Sequence, residues 1–192
     1  MASPDRRRAQ QVAYSVDMLG DIATNYDKAL DRDEFGFARC MLDAFYVHLR
    51  LLADFLIKHT NDLDFGPGDF DVDWTKPDTP EAARLEGYWN IASKYVVHFG
   101  RPRVPENLED LQAFRVDGEL FRSMAIDALT VFRQFLGMLE SRASAWQDGS
   151  LIPDPDTDPE AWRSRILADQ ATILRAAFDA AAHELELDKN AS

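Results

Sequence analysis

Apolar residues recur along this chain at helical spacing, in long blocks separated by turn-rich breaks. From Ala9 to about Leu30, Tyr14, Met18, Leu19, Ile22, Tyr26 and Leu30 mark one face of a first helix. Asp31-Arg32-Asp33 breaks it, and Asp33 suits the cap of the next helix. That second helix runs from about Glu34 to His59. Phe37, Met41, Leu42, Phe45, His48, Leu49, Leu52, Phe55 and Leu56 form its stripe, and Tyr46, Val47, Leu51 and Ile57 widen it. So broad an apolar surface predicts the central helix of a bundle. Arg50 and Asp54, four apart and off the centre of the stripe, are spaced to pair.

Asn61 to Thr79 carries no periodicity and reads as a long acidic loop, tucked against the bundle by Phe65, Phe70 and Trp74. Its Asp69-Phe70-Asp71-Val72-Asp73 run starts like a calcium loop. Trp74 stands where the glycine belongs and Pro80 where the terminal glutamate belongs, which excludes an EF-hand. Thr79-Pro80-Glu81 is a helix start, and the third helix extends to about Phe99 through Leu85, Tyr88, Trp89, Ala92, Tyr95 and Val96. Pro105 to Phe114 predicts one short helix. A fourth long helix follows over about Gly118 to Trp146. Asp148 to Asp158 is a second turn-rich linker, and Asp158-Pro159-Glu160 opens a fifth helix ending near Leu187.

No stretch alternates with a period of two, and there is no internal repeat. The expected fold is an all-α, up-down bundle of about five helices. It forms a single helical domain over residues 1–192, with its core at about 9–146 and helix 159–187 as a candidate appendage.

Charge and composition narrow the function. A formal net charge of -13 argues against broad, non-specific nucleic-acid binding, while leaving room for a small basic cleft. No apolar run approaches the roughly 20 residues that span a bilayer. The arginine-rich start has no apolar segment behind it, so it does not read as a signal peptide. Cys40 is the single cysteine, which rules out an intrachain disulfide and a cysteine-rich zinc site, and its apolar neighbours predict burial. From these absences a cytoplasmic protein without a membrane segment is expected.

The candidate chemistry gathers in Ser93-Lys94-Tyr95-Val96-Val97-His98-Phe99-Gly100-Arg101-Pro102-Arg103. Lys94 and His98, four apart, share a helix face. Gly100 suits the position past a helix end, and Pro102 prevents continuation. A titratable ring and three cations within about two turns suit a phosphate-bearing substrate. The same residues also suit an ordinary helix C-terminus, where the dipole favours cations. His48 lies among Phe45, Leu49 and Leu52, as a core histidine would, while His59 and His183 read as surface residues. No metal site is expected: there is no Glu-x-x-His pair, and Asp179 stands where His183-Glu184 would need a second histidine. There is no phosphate-cradling glycine loop and no Gly-x-Ser-x-Gly elbow, so no cofactor is expected.

Two of these runs together resemble a group of bacterial HEPN-like helical proteins. His48-Leu49-Arg50-Leu51-Leu52-Ala53-Asp54-Phe55-Leu56 is similar to that group's His-x-Arg-x-Leu-x-Asp-Phe-Leu run on a central helix. Ser93-Lys94-x-x-x-His98, with Arg101 close behind, is similar to its Asn-Lys-x-x-x-His segment, and Trp74 lies in an acidic aromatic loop between them. The resemblance covers about Phe35 to Leu139. It implies a HEPN-like core, a homodimer, and RNA or a nucleotide as ligand, with metal-independent ribonuclease activity in a toxin or defence setting. His98, Lys94 and Arg101 would be catalytic, and His48, Arg50 and Arg103 would bind substrate. The superfamily arginine ahead of the histidine is absent, with Lys94 nearest its place, and Ser93 replaces the asparagine. The alternative is a non-enzymatic interaction or scaffold protein, binding a protein partner, in which the His98 cluster is structural.

Overall fold

Three of the described helices begin where the sequence provides a cap. The Thr79 hydroxyl accepts the Ala82 amide and Asp158 accepts that of Ala161, each just before a proline that needs no partner. Asp117 accepts from Leu120 at the next such start. A computed structural model of the chain describes residues 4–32, 34–58, 66–93, 117–143 and 155–187. It contains α1 (Pro4–Asp31), α2 (Phe35–Ala53), α3 (Pro80–Ile91), α4 (Gly118–Ala143) and α5 (Pro159–Glu184). No strand occurs among the described residues. The Pro105–Phe114 segment and Asp33 lie outside them; the cap position of α2 is held by Glu34, whose side chain makes no capping bond.

Cross-contacts give the direction of each helix. Ser15 meets His48, so α1 and α2 are antiparallel. Asp54 with Trp89 and Lys58 with Glu86 set α3 against the end of α2 in the opposite sense. Arg84 and Tyr88 reach Asp127 on α4, while Glu140 on α4 meets Arg175 and Phe132 meets Phe178 on α5. The helices therefore alternate up and down, and the chain is an all-α bundle, as the sequence predicts.

The centre of the bundle is aromatic. Phe45 stacks on Phe121 at 4.1 Å, and Tyr26 tilts onto the same ring at 4.6 Å. Further along α4, Phe135 takes the edges or faces of Phe55, Phe70 and Trp74. Each such pair adds about 0.5–1.5 kcal/mol beyond its buried area. Asp127 is buried yet satisfied. Both its oxygens accept from Arg84, at 2.8 and 2.6 Å, and one also accepts the Tyr88 hydroxyl at 3.0 Å.

Three expectations are corrected. The hub is α4, which packs on all four other described helices, whereas α2 keeps one side open to solvent. Phe37, Val47 and Leu51, expected inside, are exposed, as are Cys40 and, on α1, Tyr14. The reason is crowding: α2 already buries Ala38, Met41, Phe45, Tyr46, Leu49 and Leu52 on its other side. The C-terminal helix is no appendage either. Leu174, Phe178, Ala181 and Leu185 of α5 belong to the same core as α1 and α4. Gly20 lets α1 and α5 close up, since a Cβ there would sit 2.8 Å from the Cα of Ala181.

Candidate functional site

The second helix does not end as a regular α-helix. Asp54–Lys58 forms a π-helical turn, a feature found mostly as single wide turns and often at functional sites. Phe55 and Leu56 remain buried in it. The carbonyl of Leu56 accepts the Trp74 indole N–H at 2.8 Å, which satisfies an oxygen left over at the helix end. The acidic loop is thus fastened to the end of α2. A 3-10 turn, Pro67–Phe70, lies within that loop, with Asp69 accepting from the Gly66 amide. Asp71 adopts a left-handed conformation (φ 56°) and binds Arg163 at 2.9 Å. Asp69, 3.5 Å from Arg8, and Asp71 therefore both face protein cations. Phe70 and Trp74 tuck the loop inward as expected; Phe65 lies outside the described residues.

His48 and Arg50 are two positions apart, which separates them by about 200° around the helix. The structure sends them to different neighbours. His48 faces α1: its Nδ1 is 3.2 Å from Ser15 Oγ, and its ring meets Tyr14 edge-on at 5.1 Å. Burial lowers its pKa, so the ring is neutral at neutral pH. Arg50 faces α3 and lies 3.5 Å from Asp54 Oδ2, the pairing its spacing predicts. Its Nε is buried and makes no hydrogen bond among the described residues.

Around Arg50 the structure assembles a cluster that the sequence does not announce. Asp54 accepts the Trp89 indole N–H at 2.5 Å. The Lys58 ammonium lies 5.0 Å from the centre of the Trp89 ring and also bonds Glu86. Lys76, from the acidic loop, reaches the other Glu86 oxygen at 2.7 Å. Bonds from these two lysines hold the Glu86 carboxyl down at about 2. Arg50, Lys58 and Lys76 against Asp54 and Glu86 leave one positive charge in excess on a chain of net -13. A small cationic rim beside an indole suits an anionic or aromatic ligand. Spacing could not reveal it, because Lys58 and Glu86 stand 28 residues apart.

Beyond Trp89, α3 leads into Ala92 and Ser93, both buried; the Ser93 hydroxyl has no hydrogen-bond partner among the described residues. The next residue is Lys94. Lys94, His98, Arg101 and Arg103 all lie outside the described residues, as does His59. His183, by contrast, is exposed on α5, as expected. No group of three or more potential metal ligands forms among the described residues, and no helix there is long and apolar enough to cross a membrane. No family model matches the chain, and neither a curated protein nor a solved structure matches it.

Proposed function

We propose that the chain is a HEPN-like protein that binds RNA or a nucleotide phosphate and cleaves RNA without a metal. The observation that carries this reading is the packing of α2 on α3 through Asp54 and Trp89. The run from His48 to Leu56 thereby packs against α3, the helix that precedes Ser93 in the sequence. The cationic excess at Arg50, Lys58 and Lys76 adds electrostatic attraction for a phosphate.

In this reading His98 accepts the proton of a ribose 2′-hydroxyl, or donates one to the departing 5′-oxygen, the general acid–base role for which imidazole is suited. The 2′-oxygen attacks the phosphorus as the bond to the 5′-oxygen breaks, leaving a cyclic phosphate and a free 5′-hydroxyl. Lys94 and Arg101 stabilise the extra negative charge on the phosphoryl oxygens. Arg50 and Arg103 hold the flanking backbone, whereas His48, turned toward Ser15 of α1, takes no part.

The test is cleavage of a mixed RNA pool in the presence of a chelator, comparing wild type with His98→Ala. Wild type should cut, and His98→Ala should lose roughly 10²–10⁴-fold with unchanged helicity and melting temperature. Failure of wild type both to cut and to bind RNA would overturn the proposal. The second reading, a non-enzymatic interaction protein, draws on the exposed apolar side of α2. It predicts neither cleavage nor RNA binding, with His98→Ala acting only on stability.

A further inference from the structure

The outward side of α2 carries an apolar stripe. Phe37, Cys40, Ala44, Val47 and Leu51 follow one another by three, four, three and four residues. At 100° per residue they fall on a face roughly 80° wide. Phe37 and Leu51 are 58% and 52% exposed, so no described element fills it. Where the chain leaves α3 and where it enters α4 bound what can lie there. Trp89 bonds Asp54 and Glu86 bonds Lys58, so the level on α2 falls as the number on α3 rises. Four residues beyond Trp89, Ser93 stands at about the level of Arg50. The start of α4 is at the opposite end of α2. There the Gly118 amide donates to Asp27 of α1, and the Glu34 amide donates to the Ala29 carbonyl. Residues 94–116, outside the described residues, thus connect a point beside Arg50 to the start of α2. Along the helix that is roughly 22 Å. The same link drawn straight would reach about 75 Å, so most of its length is free to lie on the surface between.

We propose that residues 104–114 of the same chain cover this stripe as an amphipathic helix. Val104, Leu108, Leu111 and Phe114 follow one another by four, three and three residues. On a helix they share a face roughly 120° wide, and Glu106, Glu109 and Asp110 fall outside it. Gly100 and Pro102 interrupt any helix carried on from α3, and Pro105 suits the first turn of a new one. Eleven residues of helix cover about 16 Å of a stripe about 21 Å long. Arg39, Cys40 and Asp43, between the level where α3 ends and the start of α2, are exposed, so no described element occupies the path. Two apolar faces of similar length, tethered within one link, meet at high effective concentration without a second molecule. The cover takes up the side of α2 on which an interaction protein would draw, and so weighs against that reading. It uses no cleavage chemistry and none of Lys94, His98 or Arg101, so its failure and that of the nuclease reading are separable.

Cys40, the single cysteine, lies within the stripe and reports on its cover. In the full chain its reaction with a maleimide should be slow. Leu108→Glu together with Leu111→Glu should speed that reaction by roughly ten-fold or more, because the cover no longer closes over the thiol. Cysteines placed one at a time on the apolar face (Val104→Cys, Leu108→Cys, Leu111→Cys, Phe114→Cys) test the contact without charge. Under mild oxidation at least one should form a disulfide with Cys40 inside a single chain, seen at monomer mass on a non-reducing denaturing gel. Glu109→Cys, on the opposite face, should not. Equal Cys40 rates in wild type and the double variant would overturn the proposal. So would protection that vanishes on dilution, which would mean a second copy, or cross-links that form only between chains or not at all.

Discussion

Individual carboxylates in this fold respond to acid in opposite ways. Burial, helped by Asp21 and Asp17, raises the Glu184 pKa above its ordinary value. An acid bound more tightly to its proton in the folded chain costs stability as pH rises from the unfolded pKa through the folded one. Glu184→Gln should therefore raise the melting temperature at neutral pH and give no gain below about pH 4, under the ordinary glutamate pKa. An equal shift at both pH values in paired thermal melts would remove the charge explanation. Glu86 behaves the other way. Its two lysines depress its pKa, so its stabilising contribution is present above the ordinary value and is lost as pH falls toward about 2. Residue-level roles were only partly legible in the sequence. The Arg50–Asp54 pair follows from spacing. The separation of His48 from Arg50 was also there to be read, since positions two apart never share a helix face. Trp89 was legible as an apolar helix residue, but its bond to Asp54 joins residues 35 positions apart and leaves no local trace.

At the scale of elements, the apolar spacing located five helices because each must bury a stripe against its neighbours. It could not show which stripe finds a partner. Phe37 and Leu51 look as apolar as Phe45 and Leu52, and only packing separates the two sides of α2. Nor could it show the wide turn at Asp54–Lys58, where Trp74 and α3 make contact. Glycines within helices likewise look alike in sequence and differ in place. Gly20 lies against the Ala181 backbone, whereas nothing lies within 4 Å of a Cβ added at Gly137. Gly20→Ala should destabilise by roughly 1–3 kcal/mol through overpacking. Gly137→Ala should stabilise by up to about 1 kcal/mol through helix propensity. Chemical denaturation of the two variants measures both, and stabilisation by both would rule out a close approach of α1 and α5.

For the molecule as a whole, the net charge of -13 was legible from composition. The described cationic cluster stands on a strongly acidic body, which repels itself and any polyanion at long range. Salt screens such exposed charges over about 8 Å at 0.15 M ionic strength. The melting temperature should therefore rise between low salt and that concentration. A fall would mean that attractive ion pairs, such as Arg175 with Glu140 and Arg163 with Asp71, outweigh the repulsion. The bundle's alternating order follows from short links between α1 and α2, but the enclosure of α5 does not. A turn-rich linker reads as a boundary, yet α5 returns across it to complete the wall beside α1.

One cap reaches unusually far. The amide of Gly118, at the first turn of α4, donates to Asp27 at 2.9 Å across 91 positions of chain, and a methyl group there would collide with that carboxylate. The hub helix therefore satisfies only part of its own beginning: Asp117 takes the Leu120 amide, but the Gly118 amide needs α1. During folding the Gly118 amide gains its acceptor only once α1 has docked. The start of the central helix is thus completed only by a carboxylate from α1.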